Sequence, residues 1–200
     1  MTYRRKDTYH RRARAAGYRA RSAYKLAELA DRFRLLRRGD RVVDLGAWPG
    51  GWLQIVVERI GAEGRVVGVD VVPVKPLPPA NVALITGDVR DPAVIRMARE
   101  RLGRTADVVL SDLAPKLTGV AAIDEARRSE LTATVLAALP HLLRPGGRLL
   151  MKLFMDPDQP ALMARLREAF DQVEATRPEA TRRGSSELYA VGLGLRGSNA

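Results

Sequence analysis

The feature that most constrains this chain is a repeated alternation. Short, almost wholly apolar runs are separated by segments of helical length. The runs are 41–46 (RVVDLG), 65–70 (RVVGVD), 82–86 (VALIT), about 106–112 (ending DVVLSD) and 147–154 (GRLLMKLF), and between them lie 51–60, 91–103, 124–143 and 157–170. Strands that are apolar on both sides belong in a parallel sheet with helices on both faces. The alternation implies right-handed crossovers in one Rossmann-like, doubly wound α/β domain. Ahead of the first strand, Ser22 is expected to cap a helix over about 23–36, with Ala23, Ala27, Ala30 and Phe33/Arg34 as its apolar stripe and 38–40 (RGD) ending it.

The tail breaks the pattern. Segments 172–178 (QVEATRP) and 187–195 (ELYAVGLGL) read as strands, and 179–186 between them is too short for a crossover helix. Two strands joined so closely pair antiparallel. The expected architecture is therefore seven-stranded and mostly parallel, with one antiparallel strand. Such a closing hairpin is unlike a dehydrogenase and matches the sheet of class I methyltransferases. The stretch 73–79 (PVKPLPP) is a loop, too short for a domain linker.

Charge is unevenly placed. The whole chain carries +11, and residues 1–38 hold thirteen Lys/Arg against Asp7, Glu28 and Asp31, so nearly all of the excess lies there. A block this polarised is a footprint for a polyanion. Residues 1–20 read as a basic arm ahead of a domain over 21–197. Tyr3, Tyr9, Tyr18 and Tyr24 stand among the arginines, where rings could stack on unpaired bases. That favours RNA over an anionic lipid surface, the other reading being a solubilising tail. The absence of cysteine removes disulfides, thiolate metal sites and a cysteine nucleophile, and His10 and His141 are too few for a histidine cluster, so no metal is expected. No signal-peptide pattern and no run of about 18 apolar residues occurs. A cytoplasmic protein without a membrane segment is expected, and nothing demands more than a monomer.

The strand ends carry the chemistry. The first strand runs into 44–52 (DLGAWPGGW), a glycine turn at the carboxyl edge where open α/β sheets bind cofactors. Pro49 removes an amide and tryptophans flank the glycines, so the turn suits a cofactor without phosphates better than a dinucleotide. Asp70, ending the second strand, can accept from both hydroxyls of a ribose, as in NAD or S-adenosylmethionine. Asp88 follows the third strand and can accept from an adenine amino group, or serve as a turn or cap residue. Asp112 ends the fourth, facing cofactor and substrate. Lys152 interrupts a wholly apolar strand; burial there is costly unless the amine is paired or functional, and a neutral amine can act as a general base.

Six segments together, 21–26 (RSAYKL), 44–52, 87–91 (GDVRD), 111–115 (SDLAP), 151–154 (MKLF) and 183–189 (RGSSELY), resemble the FtsJ/RrmJ-like ribose 2′-O-methyltransferases over about 20–195. The resemblance implies S-adenosyl-L-methionine as cofactor and a tetrad of Lys25, Asp112, Lys152 and Glu187. It implies cofactor contacts from Gly50, Trp52, Asp70, Asp88 and Asp112. Lys152 would take the proton as the ribose oxygen attacks the sulfonium methyl, Asp112 would orient it, and Lys25 and Glu187 would hold the ribose. The implied target is a uridine of 23S ribosomal RNA in a ribosomal particle, the alternatives being transfer RNA anticodon loops or an inactive RNA-binding relative. Taken without the resemblance, Lys25 lies off the apolar stripe of its helix and Glu187 could be an ordinary edge-strand charge. Trp48 replaces the family's usual alanine and Lys116 its usual asparagine.

Overall fold

The computed structural model describes residues 8–181 and 184–197. Two helices come first, α1 (Thr8–Ala15) and α2 (Ala23–Phe33). The alternating part then runs β1 (Arg41–Leu45), α3 (Gly51–Ile60), β2 (Arg65–Asp70), β3 (Val82–Thr86), α4 (Pro92–Leu102), β4 (Ala106–Ser111), α5 (Ala121–Leu142), β5 (Leu143–Phe154), α6 (Gln159–Ala169), β6 (Phe170–Thr176) and β7 (Glu187–Leu195).

The seven strands form one sheet in the order β3-β2-β1-β4-β5-β7-β6. β7 runs antiparallel to both neighbours and the other observed pairs are parallel, as expected. The period of two along each strand explains the unbroken apolar runs. Val42, Val66, Val108 and Leu110 face one core with α2 and α3, while Val43, Val67 and Val109 face another with α4, α5 and α6. Helices thus cover both faces. The even-numbered face of β4 and β5 turns toward α2, which decides the location of the site.

Local sequence sets several boundaries. Asp91 caps α4, its carboxylate accepting from the Ala93 amide at 2.8 Å with Pro92 in the first turn, and Gly103 closes the helix in the left-handed region at φ 85°. The start of α2 differs from expectation: Ser22 is itself helical and makes no side-chain cap bond. The helix also ends early, because Arg34 turns left-handed at φ 50° and its amide returns to Ala30 and Asp31. Its buried face is Ala23, Lys25, Leu26, Leu29 and Ala30, rotated from the predicted stripe, because the leucines pack inward and leave Ala27 part-covered.

Residues 1–20, expected as a basic arm, are described from Thr8 on. Thr8–Ala15 is helical, and Ala13 is buried. Tyr9 and Tyr18 pack on Tyr24 at ring distances of 5.9 and 5.6 Å, with Arg12 over Tyr9 and Tyr24. These rings contact one another at a tilt or edge-on while each residue stays partly exposed; Tyr3 lies outside the described residues. Among the described residues no helix is long and apolar enough to cross a membrane.

Candidate active site

The sheet reverses direction of growth between β1 and β4, and open α/β sheets place ligands at that crevice, beyond the carboxyl ends of the strands. A cavity of about 590 Å³ lies there. Gly46 after β1, Asp70 at the end of β2, Asp88 after β3 and Asp112 after β4 all line it, with Trp48, Val71 and Lys116. Asp70 is fixed by two amides, Trp48 N to one carboxylate oxygen and Val72 N to the other, each at 2.8 Å. Its orientation toward the cavity is therefore set by backbone. Asp88 accepts from the Arg90 amide and guanidinium, and those hydrogen bonds hold its carboxyl below the ordinary aspartate value. Arg90 reaches on to Glu130 at 3.1 Å.

Beside the cavity stands a compact charged group. Lys152 Nζ is 2.9 Å from Asp112 Oδ1 and 3.6 Å from Glu187 Oε1. Lys25 Nζ donates to Glu187 Oε2 at 2.8 Å. Topology explains the meeting. Lys152 shares the α2 face with Leu150, and antiparallel β7 places Tyr189 opposite Lys152 and Glu187 opposite Phe154. Same-face neighbours two residues apart on a pairing strand are within reach of long side chains. α2 lies over that face and lowers Lys25 onto Glu187. Only an antiparallel β7 can begin at the carboxyl edge and deliver Glu187 there. Burial pushes the Glu187 carboxyl up, but the hydrogen bond and charge of Lys25, with Lys152 behind, bring it below the ordinary glutamate value.

Lys25 and Lys152 are nearly buried, with side chains 6% and 8% exposed. Lys25 is therefore not the solvated lysine its helix position suggested, and Glu187 is not on an edge strand, since β7 lies between β5 and β6.

The chain matches the FtsJ-like methyltransferase family over residues 18–195. It belongs to that family. It is 41% identical over 190 residues to a Methanobrevibacter smithii protein named ribosomal RNA large subunit methyltransferase E, covering 95% of this chain and 90% of that one. A protein of the same name from Azoarcus is 44% identical, covering 95% and 92%. The crystal structure of a ribosomal RNA methyltransferase from Plasmodium falciparum superposes with a TM-score of 0.80 at 27% identity, covering 90% of this chain and all of that one. Fibrillarin from Aeropyrum pernix, solved with bound S-adenosyl-L-methionine, shares the fold at a TM-score of 0.59 and 20% identity, covering 86% and 76%.

Within this FtsJ-like methyltransferase the four tetrad positions converge, and Asp70, Asp88 and Asp112 share one cavity. Gly50 and Trp52 are not in the lining of that cavity. Gly50 adopts φ 106° at the start of α3, where an added Cβ would meet Arg19 Nη1 at 2.8 Å. The Trp52 ring is buried and donates to the Ser22 carbonyl at 3.0 Å.

Three participants escaped the sequence reading. The Tyr189 hydroxyl donates to Asp112 Oδ1 at 2.9 Å and its ring lies under Lys25, with Lys25 Nζ 5.6 Å from the centroid. Burial, then Asp112, pushes the Tyr189 phenol well above its ordinary value, so it stays a donor. Asp44 is fully buried with neither carboxylate oxygen partnered, and burial, then Asp112 and Asp70, pushes its carboxyl well up. Arg19 clips the loops together, donating to the carbonyls of Pro49, Lys75 and Pro76. Tyr189 sits within the 183–189 motif at the right parity with Glu187, a signal that was available; Arg19 had none.

Proposed function

We propose that this methyltransferase transfers the methyl group of S-adenosylmethionine to a ribose 2′-hydroxyl of large-subunit ribosomal RNA, at a uridine. The observation that carries the reading is Lys152, a nearly buried amine held between Asp112 and Glu187 beside a cofactor-sized cavity.

The residues present fit that donor. The cavity presents Asp70 and Asp88, acceptors suited to ribose hydroxyls and an amino group, and Asp112. Asp44 lies buried close by, its oxygens unpartnered. A set rich in carboxylates suits a cationic donor and opposes a pyrophosphate. When bound, S-adenosylmethionine supplies a methyl on positively charged sulfur, an already activated electrophile. The chain must then align the acceptor oxygen and take its proton. In its neutral form Lys152 Nζ accepts the proton from the 2′-hydroxyl and becomes the ammonium. Asp112 and Glu187 stand where they stabilise the ammonium that forms. Tyr189 fixes Asp112 from its other side, and Lys25 holds Glu187. Glu187 and Lys25 border the ribose. The arginines of residues 1–20 other than Arg19, which is tied to loop carbonyls, hold phosphates, giving affinity with little sequence choice. We place the protein in the cytoplasm, acting as a monomer on a ribosomal particle.

The test is methyl transfer from labelled donor to large-subunit RNA, its particle, and transfer RNA. Label in the large-subunit substrates supports the reading. Label in transfer RNA alone moves the target, and none anywhere rejects the enzyme.

A further inference from the structure

Opposite the cleft, at the amino edge of the sheet, arginines gather. Arg41 and Arg65 open β1 and β2 and sit side by side in register. Arg37 and Arg38 precede β1, and the Arg38 guanidinium lies near Gly61. Arg101 and Arg104 precede β4, while Arg144 and Arg148 belong to the first half of β5. These eight arginines share the edge with Asp40, Glu63, Glu100 and Asp107, and further along it Arg196 pairs with Asp171 at 3.3 Å.

Two of the first four acids are already taken. Asp40 pairs with buried Arg148 at 2.9 Å, and Asp107 is shared by Arg104 and Arg144, each at 2.7 Å. Among the described residues no carboxylate lies within 4.0 Å of the guanidinium group of Arg37, Arg38, Arg41, Arg65 or Arg101. Arg65 instead donates to the Arg101 carbonyl at 3.1 Å. Like charges directly opposite on paired strands are destabilising. The carboxyl edge is mixed, with Asp70, Asp88, Asp112, Glu130 and Glu187 standing among Lys25, Arg90, Lys116, Arg127 and Lys152.

We propose that this amino edge is a second binding surface for the RNA phosphate backbone. The inference rests on the reading that RNA is the substrate. An arginine fork takes phosphate oxygens bidentately, and Arg37, Arg38, Arg65 and Arg101 are exposed for it. Central strands of five to six residues separate the two edges by roughly 17–20 Å at about 3.3 Å per residue. That exceeds the screening length of about 8 Å at physiological salt, so these charges do not act on the cleft through space. They engage a different segment of a large folded RNA than the one entering the cleft.

The test compares two RNAs. Arg38→Glu, Arg65→Glu and Arg101→Glu are combined, with the corresponding Gln triple variant in case the first does not fold. On a short RNA carrying the target nucleotide, kcat/KM stays as in the unmodified protein. On full-length large-subunit RNA, KM rises by roughly tenfold or more at unchanged kcat, and the slope of log affinity against log salt flattens by about 2 to 3. Unchanged KM and slope on the long RNA overturn the proposal, and so does an equal loss on both RNAs. Weakened binding to the particle with unchanged binding to its bare RNA also overturns it, and points to a protein. Binding to large-subunit RNA is measured independently of transfer, so an inactive enzyme would sink the functional reading without deciding this one.

Discussion

Two clusters of buried charge at opposite edges of the sheet do different work. At the carboxyl edge, Lys152 and Lys25 meet Asp112 and Glu187 beside a cavity. At the amino edge, Arg148 inside β5 meets Asp40 at 2.9 Å and donates to the Leu35 carbonyl. Burial and pairing are alike, so neither marks a reaction centre. What differs is chemistry. A lysine amine can exchange a proton, whereas a guanidinium cannot in a protein. The arginine pair ties the segment before β1 to β5; the lysine pair stands beside the cavity, where the proposed mechanism needs a proton acceptor.

This comparison can be broken at several points, taken from the largest effect down. Lys152→Ala should lower methyl transfer by about 10²–10⁴-fold with donor binding by calorimetry retained; near-normal turnover would remove Lys152 from its role. Arg148→Ala leaves Asp40 buried and unpaired, and should cost about 3–5 kcal/mol in urea unfolding. Its activity per folded molecule should hold, and a selective loss of turnover would erase the distinction between the two edges. Smaller effects follow from pH. Burial raises the Asp107 carboxyl, but Arg104, the Arg41 amide and Arg144 bring it to about 2, from an ordinary 3.8. Its folded value lies below its unfolded one, so its contribution is present above 3.8 and disappears as pH falls toward 2. In Asp107→Asn the fall in unfolding midpoint across that window should be shallower. Subtlest is a fluorescence change. Of two tryptophans, Trp52 is buried and Trp48 is 57% exposed on the cavity wall, so binding of the demethylated cofactor should alter emission from the protein and not from Trp48→Phe.

The sheet was legible because strand parity and apolar runs report burial on two faces, and because 179–186 leaves no room for a helix. Asp70, Asp88 and Asp112 were legible for a related reason: each ends or directly follows a strand, and the sheet gathers strand ends at one edge. Lys152 was visible as a charge in an apolar run. Lys25 and Glu187 were identified only through the family resemblance, because their partners are 162 residues apart and depend on how α2 lies over β7. The α2 stripe was misread because alanine spacing was followed where Leu26 and Leu29 set the buried face. Arg19 and the packing of Tyr9, Tyr18 and Tyr24 depend on the docking of α1 and the segment after it, which no local pattern encodes. A run of arginines announces charge but not whether each one faces solvent or clips a loop.

The central claim concerns which atom receives the methyl. The most direct measurement is nucleoside mass spectrometry of large-subunit RNA treated with the purified protein and S-adenosylmethionine, with Lys152→Ala in parallel. The account predicts a ribose-methylated uridine with the protein as it stands and none with the variant. A methyl group on a base, or equal ribose methylation by both proteins, would contradict it.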